Sequence, residues 1–318
     1  MNKLVSVITP IYNEEDNIRS CYNYLKKQKY TNIEWVIIND GSTDKSLSIL
    51  NEIKEENIIN LIVLSQENSG AAIARMNGIN QAKGDFVCIL DADDYLSDDA
   101  IDLAMNKMVN NVDICCFNLH ITNSNGDINI FDTAIDNWPI NGETAFFLNL
   151  DEWQIPGIFL ARKSVFLQAY SLYKIKENNI NDDEIISKLC MLNAKKIEIC
   201  DGVYNYLNNP NSTTKKINKN YYKLINTTSF MYDFIIENHA KYKDRVLSHK
   251  ISTMYGVICR YKEWENILTN KKDWIDILNL EVESINIRDV LKIKKVKIKV
   301  KRLIQLVLIK KYLSRVKS

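Results

Sequence analysis

Phe86-Val87-Cys88-Ile89-Leu90-Asp91-Ala92-Asp93-Asp94 passes from five consecutive apolar side chains to three carboxylates within four residues. An apolar run of that length is what a strand covered on both faces requires, and the abrupt change marks its carboxyl end. The same shape occurs twice upstream. Leu4 to Thr9 runs into Pro10-Ile11-Tyr12-Asn13, and Trp35 to Asn39 runs into Asp40-Gly41-Ser42-Thr43-Asp44, while Leu61 to Leu64 adds a further short run. Between them, Glu15 to Lys27 and Lys45 to Glu55 space their apolar residues as amphipathic helices do, with Ser42 or Thr43 a natural N-cap for the second. Strand, polar turn and helix repeated in this order predict a doubly wound α/β sheet. In such sheets ligands lie outside the carboxyl ends of the strands, so the three polar clusters are expected to converge on one crevice.

Further along, Val112 to His120 and Lys196 to Cys200 predict strands and Asp183 to Leu192 a helix. From residue 216 the texture is helical, with Tyr221, Phe230, Tyr232, Tyr255 and Trp264 spread along it. The expected division is a domain over 1–215 and a helical region over 216–318, ending in a basic segment from about residue 290.

The 318 residues are 46% apolar, which sustains a packed core and excludes a disordered chain. With 41 basic and 40 acidic side chains, the whole molecule has no attraction for nucleic acid, and no nucleic-acid partner is expected. The average hides an asymmetry: eleven of the basic residues and no acid lie in 290–318, leaving 30 basic and 40 acidic side chains, a net of −10, in residues 1–289. Seven cysteines without a C-x-x-C pair fit reduced thiols in a cytosolic protein. Met1 to Leu4 leads straight into a strand pattern, and no uninterrupted apolar window of about 18 residues occurs, so a cytoplasmic chain without a membrane span is expected.

Asp91-Ala92-Asp93 offers two carboxylates on one side of an extended turn, the oxygen ligands that Mg²⁺ or Mn²⁺ takes while leaving other positions to water and phosphate. An Asp-rich turn is also what a solvated loop looks like; its place at the end of a buried strand favours the metal. Asp40 at the second strand end reads either as part of a capped turn or as an acceptor for a nucleobase edge. Neither G-x-x-x-x-G-K-[ST] nor G-x-G-x-x-G is present, which leaves kinase, ATPase and dehydrogenase readings without a phosphate cradle. His120, His239 and His249 have no metal-ligand spacing.

Taken in order, Val5-Ser6-Val7-Ile8-Thr9-Pro10-Ile11-Tyr12-Asn13-Glu14, Val36 to Asp44, Asn68-Ser69-Gly70 with Ala74-Arg75-Met76-Asn77-Gly78, and Gly84-Asp85-Phe86 through Asp94 closely resemble the family 2 glycosyltransferases of the GT-A fold. The resemblance implies a Rossmann-like, mainly parallel sheet flanked by helices, a nucleoside diphosphate sugar donor, dependence on Mn²⁺ or Mg²⁺, and inverting transfer. Carried over by position, Pro10, Tyr12, Asn13 and Glu14 line the nucleotide pocket, as do Asn68, Gly70 and Ala92. Asp40 meets a uracil-type base, Arg75 lies near base or phosphate, Asp91 approaches ribose and metal, and Asp93 binds the metal. The family takes its general base from an acidic cluster heading a later helix, a place filled here by Asn181-Asp182-Asp183-Glu184. Register selects Asp183, and acids in a first helical turn also serve the helix dipole alone. Val203-Tyr204-Asn205-Tyr206 with Asn211-Ser212-Thr213 resembles the family's Tyr-x-Tyr-Arg segment, but Leu207 stands where the Arg belongs, with Lys215 or Lys216 as substitutes. Trp153 to Phe166 matches the acceptor side without the Lys that many relatives place after the Trp. The absence of Gln-x-x-Arg-Trp and of membrane helices points away from processive synthases. A nucleotidyltransferase and a non-catalytic nucleotide-sugar-binding module are the competing readings.

In the basic segment Ile293, Val296, Val300, Leu303 and Val307 recur at three- and four-residue intervals among lysines. This predicts an amphipathic helix on an anionic membrane surface, or one docked on the acidic body. Relatives that build bacterial surface polysaccharide imply a glycan or lipid-linked acceptor, which suits a peripheral place on the inner face of the cell membrane. The helical C-terminal third is a candidate homodimer surface.

Overall fold

The computed structural model describes residues 3–175, 177–208 and 217–316. The chain folds into two compact units, Met1–Asn178 with Asp183–Pro210, and Asn179–Asp182 with Asn211–Ser318.

The first unit is built on a nine-stranded sheet: β1 (Val5–Ile11), β2 (Ile33–Asn39), β3 (Asn60–Ser65), β4 (Phe86–Ile89), β5 (Tyr95–Leu96), β6 (Ile114–Thr122), β7 (Ile128–Ile130), β8 (Phe159–Arg162) and β9 (Ile197–Tyr206). The order is β3-β2-β1-β4-β8-β6-β9-β5, with β7 on β6. The first four are parallel, as doubly wound connections dictate. β8 then pairs antiparallel to both β4 and β6, and β6 and β9 are parallel again. Every residue of β2 is buried, which accounts for its apolar run. The one acid in that run, Glu34, accepts from Ser6 Oγ at 2.5 Å, Lys83 N at 2.5 Å and Gly84 N at 3.1 Å, so it ties β1 and β2 to the turn that enters β4.

The helices of this unit are α1 (Ile18–Leu25), α2 (Ser46–Glu56), α3 (Ala71–Gln81), α4 (Ala100–Lys107), α5 (Gly142–Leu148), α6 (Lys163–Leu172) and α7 (Asp182–Asn193). Contacts of α3 fall on β1 and β2, and Gly78 allows that approach: a Cβ there would collide with Ile38 and Ile8. One expected detail is corrected. Neither Ser42 nor Thr43 caps α2; Asp44 accepts from Ser46 N at 3.0 Å and Glu15 from Lys45 N at 2.9 Å, because Ser42 Oγ is taken by Asn13 N at 3.0 Å.

The second unit is helical: α8 (Leu224–Asn238), α9 (Lys243–Trp264), α10 (Lys271–Ser284), α11 (Ile287–Leu291) and α12 (Val296–Val316). Within it, Asn226 Nδ2 donates to Asn179 Oδ1 at 2.9 Å and Thr227 Oγ1 to the carbonyl of Ile180 at 3.1 Å, which ties the four-residue segment to α8. Trp274 is fully buried at its centre, with its ring near those of Tyr221, Tyr222, Tyr261 and Trp264 and its indole N–H donating to the Lys219 carbonyl at 2.9 Å. Trp274→Ala is therefore expected to cost about 3–5 kcal/mol. Urea unfolding followed by circular dichroism at 222 nm checks this; a loss under about 1 kcal/mol would mean that the cluster does not support the unit.

The helix expected in the basic segment is present, but its inward face differs from the expected stripe. Leu306, Ile309 and Leu313 are buried against the core shared with α9 and α10, as is Ile293 just before the helix, and Leu303 is half-buried, whereas Val296, Val300 and Val307 face solvent. The helix carries apolar residues on two sides, so spacing alone does not say which side docks. No helix among the described residues is long and apolar enough to cross a membrane.

Candidate active site

The carboxyl ends of β1, β2 and β4 sit side by side: Ile11 is in register with Asn39, and Ile8 with Ile89. The loops that leave them are bonded to one another. Asn13 adopts φ of 56°, its N–H donates to Ser42 Oγ at 3.0 Å and its Oδ1 accepts from Thr43 N at 2.8 Å. Glu14 N donates to Ser46 Oγ and Glu15 N to Asp44 Oδ2, both at 3.0 Å. Asn13 thus locks the first two loops together; Tyr12 beside it is exposed, and Pro10 and Glu14 are half-buried.

Asp40 is buried and holds the third loop. Its Oδ1 accepts from Gln66 Nε2 and Ser69 N and its Oδ2 from Gly70 N, each at 2.8 Å, which leaves one acceptor position on Oδ2. Gly70 has φ of 91° and a Cβ there would collide with Asn178, so only glycine opens α3 at this point. The backbone of Asn68 passes against Gly41.

From α3, Arg75 reaches the turn after β4. Its Nη2 lies 2.7 Å from Asp91 Oδ1 and its Nη1 3.8 Å from Asp183 Oδ2, so one guanidinium bridges the two carboxylates. Its side chain is 11% exposed, against 37% for Asp91 and 60% for Asp183, and its buried Nε has no partner. Burial opposes the charge on Arg75, but Asp91 and Asp183 outweigh it and hold the guanidinium above its ordinary pKa. Ala92 turns its methyl into the core and offers only backbone to a ligand; Asp93 stands half-buried beyond it.

Asp94 links this turn to β9. It accepts from Tyr204 Oη at 2.7 Å and from Leu207 N at 2.8 Å, while Asp91 N donates to Tyr204 Oη at 3.3 Å. Leu207 thus contributes its backbone where relatives have an Arg. Burial first, then Asp91, pushes the Asp94 carboxyl up to about 8, and Glu14 is raised by burial with Asp93 and Asp91 adding to it. Negative charge is crowded here. Among the described residues no three carboxylates, imidazoles or thiols converge as a closed metal shell. An all-oxygen, partial ligand set that accumulates anionic charge fits a hard divalent cation completed by phosphate and water, with Asp91 and Asp93 as the residues that would hold it.

Of the acids heading α7, Asp182 accepts from Asn179 N at 2.8 Å and is buried. Glu184 pairs with the buried Lys188 at 2.5 Å. Asp183 projects outward beside Arg75. Lys188 also lies 5.3 Å from the Trp153 ring centre, so the cation at this Trp comes from α7 and not from the position after the Trp. Asn211, Ser212, Thr213, Lys215 and Lys216 lie outside the described residues.

Sequence reasoning passed over Gln66, which joins Asp40 to Asn77 Nδ2 (2.7 Å), and the Tyr204–Asp94 bond. Alternation along β9 puts Tyr204 inside, a signal available in the sequence, but its partner lies 110 residues away.

The sequence model of the family described as Glycosyl transferase family 2 matches residues 6–169, more than half of the chain. The chain belongs to glycosyl transferase family 2. Among curated family relatives, glycosyltransferase GlyA of Streptococcus pneumoniae serotype 4 (strain ATCC BAA-334 / TIGR4) is 33% identical over 153 residues, which are 47% of this chain and 22% of GlyA. Glycosyltransferase GlyG of the same organism is 29% identical over 227 residues, 65% of this chain and 71% of GlyG. The chain thus spans about a fifth of one of these relatives and under three quarters of the other. The structure of S. aureus TarS 1-349 in complex with UDP-GlcNAc superimposes with a TM-score of 0.71 at 19% identity, over 98% of this chain and 90% of that one. The GT-A fold of this glycosyl transferase family 2 member is shared with it.

Proposed function

We propose that the chain is a glycosyltransferase that moves a sugar from a nucleoside diphosphate donor, a UDP-sugar, to a hydroxyl of a glycan or lipid-linked acceptor in bacterial surface polysaccharide synthesis. The observation that carries this reading is the Asp91–Arg75–Asp183 arrangement, which sets the exposed carboxylate of Asp183 beside a guanidinium that also pairs with Asp91 at the carboxyl end of a parallel strand. A UDP donor is supported by the fold neighbour TarS, crystallised with UDP-GlcNAc and with UDP.

In this reading the loops of Asn13, Asp40 and Gly70 hold the nucleotide, and Arg75 lies near its base or phosphate. Asp183 takes the proton from the acceptor hydroxyl as its oxygen bonds to the anomeric carbon; the bond from that carbon to the diphosphate breaks with its electron pair leaving on phosphate, so configuration inverts. Mn²⁺ or Mg²⁺ held by Asp91 and Asp93 would supply positive charge to the leaving diphosphate. One sugar is added per encounter.

Thermal melting with a panel of nucleoside diphosphates, with and without Mn²⁺, tests the donor site. UDP with Mn²⁺ at about 100 times its Kd is expected to stabilise the protein by about 2.7 kcal/mol, and Asp93→Ala to lose that shift. A shift with nucleoside triphosphates only, accompanied by pyrophosphate release, would establish a nucleotidyltransferase instead. A shift with UDP but no transfer and no donor hydrolysis would leave a binding module.

A further inference from the structure

Helix α12 uses only one of its two apolar sides for folding. Leu306, Ile309 and Leu313 are buried against α9 and α10. On roughly the opposite side Val296, Val300, Ile304 and Val307 form a continuous stripe, with Val296 69%, Ile304 55% and Val307 59% exposed. At 1.5 Å per residue the stripe runs for about 16 Å, and a contiguous apolar surface of that kind on a folded unit marks an interaction site. Lysines flank it on both edges. At 100° per residue Lys297 and Lys301 fall to one side of the stripe and Lys299 and Lys310 to the other, and none of these ammonium groups enters an ion pair among the described residues. The acidic residues of the chain lie elsewhere: 290–318 contains none.

An apolar strip edged by lysines on both sides matches the cross-section of a bilayer interface, where aliphatic side chains enter the acyl boundary and lysine stems reach back to anionic headgroups. We propose that the solvent side of α12 docks in the plane of an anionic phospholipid surface, with Val296, Val300, Ile304 and Val307 inserted and Lys297, Lys299, Lys301 and Lys310 on headgroup phosphates. The inward side stays on α9 and α10, so docking requires no unfolding. A second copy meeting this side of α12 with its own α12 would set lysines against lysines, whereas an anionic bilayer offers apolar and anionic chemistry in one plane. The inference is independent of the transfer chemistry.

The test is co-sedimentation of the full chain with vesicles of phosphatidylcholine alone and of phosphatidylcholine with phosphatidylglycerol. Binding at least about 10-fold tighter to the anionic vesicles, weakened by salt, is expected. Val300→Ser/Ile304→Ser is expected to lower that binding about 10-fold or more with the melting temperature unchanged, since neither residue is buried. Lys297→Gln/Lys301→Gln, which leaves the stripe intact, is expected to lower it by about 30-fold. Equal binding to both vesicle types, no binding, or binding indifferent to these variants would overturn the proposal. So would concentration-dependent dimers in sedimentation velocity that the stripe variant abolishes, because the stripe would then be a contact between copies.

Discussion

Asp183→Asn is expected to lower the transfer rate by about 10²–10⁴-fold while leaving UDP binding, read as a melting shift, intact. The geometry sets this residue apart from the other two acids; its Oδ1 accepts from Glu184 N at 2.9 Å. Asp182 is buried and occupied by Asn179 N, and Glu184 is neutralised by Lys188. Asp183 alone of the three projects with a side chain 60% exposed, yet stays within 3.8 Å of Arg75, the residue that also meets Asp91. Asparagine keeps the shape of the side chain and an oxygen beside Arg75, but it cannot take a proton. Initial rates of UDP release with donor and acceptor, set beside melting curves with UDP, separate the two effects. If Asp183→Asn keeps its rate and Glu184→Gln loses it, the base has been misassigned, and the ion pair with Lys188 must open during turnover.

Asp91→Ala is expected to affect stability as well as activity. Arg75 is almost enclosed, its Nε is already without a partner, and its close ion pair is the 2.7 Å contact with Asp91. Removing one partner of a buried pair costs about 3–5 kcal/mol because the other charge is stranded. Asp91 is 37% exposed and Asp183 stays within reach, so solvent and the second carboxylate reduce this to about 1–3 kcal/mol. The melting temperature should fall by several degrees, and the shift with UDP should disappear. Arg75→Met in the Asp91→Ala background should recover part of the lost stability, though not activity, since it removes the stranded charge. An unchanged melting temperature in Asp91→Ala would show that Arg75 is held by something other than this pair.

Much of the first unit could be read without coordinates. The apolar runs Leu4 to Thr9, Trp35 to Asn39 and Phe86 to Leu90 each proved to lie in a parallel strand, and each polar cluster follows at or near a carboxyl end, because a buried strand must be apolar along its length and a ligand-facing turn must not be. The second half of the sheet was less legible. β8 runs antiparallel between β4 and β6, a pairing set by contacts distant in sequence that no local period encodes. The site shows the same division. Motif order singled out Asp40, Arg75, Asp91 and Asp183, but not that three N–H groups occupy Asp40, that Ala92 faces the core, or that Arg75 joins Asp91 to Asp183.

The sequence by itself determined the element types, the strand ends that bear polar clusters, and the family, since these follow from local periodicity and from motifs in fixed order. Only the tertiary structure decided which acid heading α7 is available, which carboxylates share a guanidinium, and which side of α12 is spent on the core. Those outcomes depend on partners tens to more than a hundred residues away, and a side chain's availability is a property of what has packed against it, which no local pattern records.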